Sequence, residues 1–242
     1  MEITEQDTMT QMPNSYRHCA EFLAALGQEV QNLKDEIGVS NEDARGVGLS
    51  NIKVALIKSG LILNILCTGE ENRMSAVDFL NLTGFTGGSA QDAADIIEKY
   101  ERHAVLTEFQ FQVENMLRRI RTELNLDEVR GFWNTTKTLI EHLDLENPAD
   151  CQSLIYLPAI LRNSRHANGI HHGTSSTITV NDVEFEFVDG EAVHCAGWGH
   201  VAISIQASIS IVRQILTHET VLAIPDPVFE QYAWDIATQP ET

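Results

Sequence analysis

Basic residues are scarce in this chain: 16 Lys and Arg stand against 35 Asp and Glu in 242 residues, a formal net charge of −19. Such a balance leaves no extended nucleic-acid surface, so any contact with a polyanion is expected in a local cationic pocket. The same excess disfavours adhesion to an anionic membrane. Cysteine is sparse too. Cys19, Cys67, Cys151 and Cys195 are far apart and form no CxxC pair, which reads as reduced thiols and not as a disulfide framework. Long hydrophobic runs are missing: Leu61–Cys67 is the longest and is too short to span a bilayer. The opening MEITEQDTMTQ is polar and acidic, unlike a secretory signal, and the expectation is a soluble, cytoplasmic protein with no membrane partner. No Gly-x-Ser-x-Gly elbow occurs. Gly46-Val-Gly48 and Gly84-x-x-Gly87-Gly88 lack both a preceding strand and a Gly-Lys-Ser/Thr ending, so they read as turn or packing glycines.

What is present is ordinary globular material, 43% hydrophobic and 21% charged, without repeat or low-complexity tract, and the length suits one domain over residues 1–242. Tyr16, Cys19, Leu23, Leu26, Val30, Leu33 and Ile37 alternate gaps of three and four, a helical seam opened near Pro13-Asn14 and closed by Gly38. That seam reads as core; exposed, it would be a dimerisation helix. A second helix follows Ser40-Asn41 and ends at Gly69. Its half from Val54 to Leu66 is apolar almost all round, which predicts a place in the centre of a bundle. Residues 70–90 read as loop with a short helix near Ser75–Asn81. A long helix is predicted over Ser89–Leu124, with an apolar face of Ile96, Tyr100, Phe109, Val113, Met116, Ile120 and Leu124. Further helices are expected over Asp127–Leu143 and Asp150–Ala167, the latter kinked or restarted at Pro158.

At Asn168-Gly169 the period changes. Thr177–Val180, Asn181-Asp182 and Val183–Phe187 alternate as a hairpin around a two-residue turn. The helical period returns from Trp198 to Thr217, and Phe229, Tyr232 and Trp234 in the tail are expected to pack back on the body. The fold class is therefore all-α: an up-and-down helical bundle with one short β-hairpin near residues 176–188.

The densest polar cluster runs from Leu161 to His172. Arg162 and His166, four apart, share one helix face; Arg165 and Asn168 lie on an adjoining stripe, and His171 and His172 follow the helix end. A guanidinium can hold phosphate oxygens and an imidazole can move a proton near neutral pH, the minimum parts for cleaving RNA without a metal. The same run can equally serve as a packing and capping device at a helix end. Arg118-Arg119-Ile120-Arg121 with Arg130 is a second basic concentration; there Arg118 and Arg121 can add phosphate contacts or pair with neighbours such as Glu114. The acids Asp182, Glu184, Glu186, Asp189 and Glu191 of the hairpin either overhang the Arg–His face or face away and keep a strand edge soluble. His171, His172, His194, Cys195 and His200 include metal-ligand types but no finger-like spacing, so neither a metal nor a cofactor is expected.

The segment Leu161-Arg-Asn-Ser-Arg-His-Ala-Asn-Gly-Ile170, followed by its hairpin and last helix, resembles the HEPN superfamily, and within it bacterial HEPN-like proteins with an RNxxHNNG-type motif. Glu108–Ile120 is similar to an earlier helix of those proteins, with Glu114 and Arg118 as the matching polar pair; the likeness is strongest over residues 105–217. The resemblance implies a homodimeric helical bundle whose Arg–His helix faces a cleft near the two-fold axis. It also implies metal-independent cleavage of single-stranded RNA in a toxin–antitoxin or antiviral-defence setting. Catalytic roles then fall on Arg162 as phosphate clamp, His166 as acid or base and Asn163 as positioner. Arg165, Asn168, His171, Arg118 and Glu114 become substrate-binding candidates, Glu114 as the carboxylate that orients Arg162. Three residues separate Arg162 from His166 where the superfamily has four to six; five separate Arg165 from His171; and Ala167 stands where the first Asn of the NNG is expected. The working pair stays open between the two. The alternative implied by the resemblance is a non-catalytic dimeric module that scaffolds or neutralises a protein partner.

Overall fold

A computed structural model describes residues 15–71 and 90–228. Within them the chain is mostly helical with one small antiparallel sheet: α1 (Tyr16–Ile37), α2 (Ala44–Glu71), α3 (Ala90–Glu123), α4 (Phe132–His142), α5 (Pro148–His166), β1 (Ser176–Val180), β2 (Val183–Phe187), α6 (Trp198–Leu216) and the single turn α7 (Glu219–Leu222). The short helix expected near Ser75–Asn81 and the tail aromatics Phe229, Tyr232 and Trp234 lie outside the described residues.

Local chemistry accounts for most boundaries. Ser15 Oγ accepts the His18 N–H at the start of α1, and Gly38, at φ 63°, takes the left-handed exit that only a residue without Cβ adopts at little cost. The α1 seam is buried, from Cys19 through Leu33, and is core and not an interface. Asn181 and Asp182 both have positive φ (49° and 63°), the primed turn that matches strand twist, and they set the register Ile178↔Phe185. α4 starts at Phe132, five residues after the expected Asp127; the segment before it is irregular, with Gly131 at φ 82° and Arg121 donating to the Val129 carbonyl.

Three expectations need correction. α5 does not restart at Pro158, which lies buried inside one helix, so packing outweighs the lost hydrogen bond. Tyr100 is not on the apolar core face of α3 but is 73% exposed. The centre of the bundle is α6, whose residues are buried nearly all round, and not the second half of α2. Only one side of α2 is covered. Val54, Ile57, Leu61 and Ile65 form an exposed stripe, between α1 on one flank and α3 on the other. Over Ala44–Cys67, α2 is by length and composition apolar enough to cross a bilayer, where the run Leu61–Cys67 alone is not; part of it is buried in the bundle, as in the core helix of a soluble protein.

The start of α2 is fixed by a buried ion pair. Asp43 Oδ1 accepts from Arg45 N and Nε, and its Oδ2 accepts from Arg45 Nη2 at 2.7 Å and Val228 N at 2.9 Å. Arg45 Nη1 donates on to the Val221 carbonyl, so one pair ties α2 to the segment after α6. Burial by itself pushes the Asp43 carboxyl up, but the Arg45 guanidinium and the Val228 and Arg45 N–H groups outweigh it and hold the group below the usual carboxylate range. Arg45→Ala strands that buried carboxylate and should cost about 3–5 kcal/mol in urea unfolding. Leu61→Gln on the open stripe should stay within about 0.5 kcal/mol.

Candidate functional site

α5 presents its polar residues where it crosses α3. The crossing is pinned by Arg165, whose Nη2 donates to the Lys99 carbonyl of α3 at 2.9 Å. Next to it the imidazoles of His103 and His166 meet edge to face, centroids 4.6 Å apart at 86°. Arg162, one turn earlier on α5, directs Nε and Nη2 onto Asn163 Oδ1 at 3.2 and 2.8 Å. That contact fixes the amide, leaving Asn163 Nδ2 as the outward donor. Arg102 completes the cluster: it pairs with Glu98 at 3.1 Å and donates to the Ala196 carbonyl just before α6.

The electrostatics of this crossing are the reverse of the chain's. Among the described residues no ion pair joins Arg162, Arg165 or His166 to a carboxylate; Glu98, the acid that acts on Arg165, is engaged with Arg102. His103 is held below the usual imidazole range by burial first, then by His166, Arg165 and Arg162. Arg165 is pulled down by burial and by Arg102, against the opposite pull of Glu98. His166 and Asn163 are exposed, and Arg162 and Arg165 are half-buried. Positive charge and two imidazoles are thus gathered at one partly exposed helix crossing.

A cavity of about 500 Å³ adjoins this cluster on the next face of α5. Trp133 of α4, Tyr156, Ile160 and Asn163 of α5, and Thr174 and Ile178 on the hairpin side are among its walls. Tyr156 is wedged between Phe132 (stacked, 5.8 Å) and Trp133 (edge-on, 5.0 Å), and Gln152 Nε2 donates to the Trp133 carbonyl, so the aromatic wall is rigid. Among the described residues no Asp or Glu lines this cavity. Glu184, Glu186 and Glu191 instead line a second recess of about 270 Å³ with His194, Cys195 and His200.

The other sequence candidates are placed elsewhere. Glu114 is ion-paired with Arg118 on its own helix, three turns beyond His103, and is not brought to Arg162. His171 is buried at the base of the hairpin, its Nε2 against the Thr174 carbonyl and its ring against Phe187, while its backbone bonds Glu191 and Gly190. It is a clamp for the hairpin that only borders the cavity. Asn168 (φ 57°) and Gly169 (φ 85°) reverse the chain after α5, with Gly169 N bonding the Ser164 carbonyl. Arg121 is buried and occupied by Val129. No group of three or more His, Cys, Asp or Glu among the described residues is arranged to hold a metal ion. Sequence reading missed His103, Arg102, Trp133 and Tyr156. His103 stands in Glu101-Arg102-His103 with no spacing that links it to α5, so only the crossing reveals it.

His103 and His200 are both depressed, His200 by burial alone. Below the ordinary imidazole value of about 6.5, each binds fewer protons in the folded chain than in the unfolded one. Their contribution to stability is therefore complete above that pH and is lost as pH falls through the folded values. Urea midpoints should fall on acidification from pH 7 to 5, and His103→Asn should flatten part of that slope; an unchanged slope would remove His103 from the charge cluster. Compared with family models, curated proteins and solved structures, the chain finds no match.

Proposed function

We propose that this protein is a HEPN-like, cytoplasmic helical-bundle protein that engages single-stranded RNA at the α3–α5 crossing and cleaves it without a metal. The observation that carries this reading is the crossing itself: Arg162, Arg165 and His166 have no carboxylate ion pair among the described residues, in a chain of net charge −19. Charge left unneutralised in an acidic protein is suited to an anionic ligand.

In this reading Arg162 clamps a phosphate whose developing charge it stabilises, and Asn163, fixed by Arg162, positions it. The two imidazoles divide the proton work. His103, kept neutral by its surroundings, is suited to accept the 2′-hydroxyl proton. The 2′-oxygen then attacks phosphorus, the P–O5′ bond breaks, and the protonated imidazole of His166 returns a proton to O5′. The products are a 2′,3′-cyclic phosphate and a 5′-hydroxyl, with protons and electrons balanced. Arg162→Ala and His166→Ala should each reduce cleavage of a single-stranded RNA in chelator by about 100-fold or more, with melting temperature nearly unchanged. Cleavage that survives both changes removes these residues from the mechanism.

A second reading, a non-catalytic homodimeric module, is favoured by a different observation. Among the described residues, six of the eight exposed large apolar side chains lie on α2 and α3: Val54, Ile57, Leu61, Ile65, Tyr100 and Phe111. The two helices run antiparallel, with Asn51 bonding Gln112 near one end and Ser59 bonding Glu101 near the other. Helical geometry then opens both stripes on the same side of the pair. In this reading the occupant of this face is a second copy of the chain, which would present the same apolar stripes in return. Light scattering should then give a dimer that Leu61→Glu dissociates; a monomer at all concentrations rejects it.

A further inference from the structure

The cavity beside the Arg162 cluster has no part in the cleavage chemistry above, yet it is built like a ligand site. It has one rigid aromatic wall, a floor of small polar groups, and one donor, Asn163 Nδ2, whose orientation is fixed because Arg162 occupies the carbonyl oxygen. Trp133 is 43% exposed despite its size, whereas the other described tryptophan, Trp198, is 5% exposed. A large indole left open beside a fixed amide, with no acid in the lining, suits a planar, neutral ring attached to an anion. Asn163 belongs to both places: it borders the cavity and it is bonded to the guanidinium that faces phosphate.

We infer that the cavity is a nucleobase subsite. One base of a nucleoside monophosphate unit stacks on the open face of Trp133, with Tyr156 edge-on as a side wall, and accepts from Asn163 Nδ2, while its phosphate lies on Arg162. This rests on the proposed phosphate role of Arg162 only for the direction in which the nucleotide lies; the base site stands on the cavity alone. Because stacking accepts any π-face, discrimination among bases comes from the single fixed donor, which favours bases presenting an acceptor at that edge.

The test is calorimetric titration of the full chain with the four ribonucleoside monophosphates, with ribose 5-phosphate as a probe that has the anion but no base, and with a single-stranded tetraribonucleotide. At least one monophosphate should bind about ten-fold or more tightly than ribose 5-phosphate. Trp133→Ala should erase that difference and Trp133→Phe should largely restore it, which separates stacking from loss of fold. Arg162→Ala should weaken monophosphate and ribose 5-phosphate by the same factor. Ribose 5-phosphate binding as well as every monophosphate overturns the base subsite while leaving the phosphate role of Arg162 intact. A Trp133-dependent base preference unaffected by Arg162→Ala keeps the subsite and overturns the phosphate clamp. Binding of none of the probes overturns both. Tighter binding of the tetranucleotide than of the monomer supports the subsite with RNA as the source of the base; the reverse supports it with a free nucleotide as ligand.

Discussion

The crossing of α3 and α5 brings like charges together, and the surrounding geometry is arranged around that constraint. Arg102, Arg162, Arg165, His103 and His166 converge where two helices pack. Such a gathering opposes folding unless each charge finds a dipole, a partner or water. Arg165 takes the Lys99 carbonyl, Arg102 takes Glu98 and the Ala196 carbonyl, and Arg162 takes its neighbour's amide. What remains open is the solvent-facing edge of Arg162, Asn163 and His166, where a phosphate can supply the missing counter-charge.

The rest of the molecule serves to hold that edge. α6 fills the centre, and α5 packs on it with Ser208 donating to the Ile155 carbonyl. α4 returns to α5 through Gln152, which sets Trp133 and Tyr156 as one wall. The hairpin is clamped at its base by His171 and Phe187, so its threonine-bearing strand borders the cavity while the glutamates of its other strand line a separate recess. The acidic hairpin therefore adds no carboxylate to the walls on which a nucleotide would lie. The open faces of α2 and α3 form a second surface with a different, apolar chemistry.

Much of this was written in the chain order. The α1 seam, the limits of α3 and α6, the Asn181-Asp182 hairpin turn and the helix stop at Asn168-Gly169 follow from periodicity and from residues with special backbone preferences, which are local properties. The Arg162–His166 face was legible for the same reason, since four residues is one helical turn. Local reasoning failed where packing decided the outcome. Pro158 stays inside a helix, Tyr100 points out of the core, and half of an apolar α2 faces outward, because which side of a helix is covered depends on its neighbours and not on its own composition.

What the sequence determined by itself was the kind of material at hand: helices of known length, one hairpin, and cationic groups concentrated at the end of α5 in an otherwise acidic chain. Only the tertiary structure decided their company. It brought His103 to His166 from a helix some sixty residues earlier, kept Glu114 with Arg118, buried His171, and set Trp133 beside Asn163. The physical reason is that spacing along a chain specifies which side chains share a face of one element, whereas the partner of that face is chosen by the packing of all the elements together.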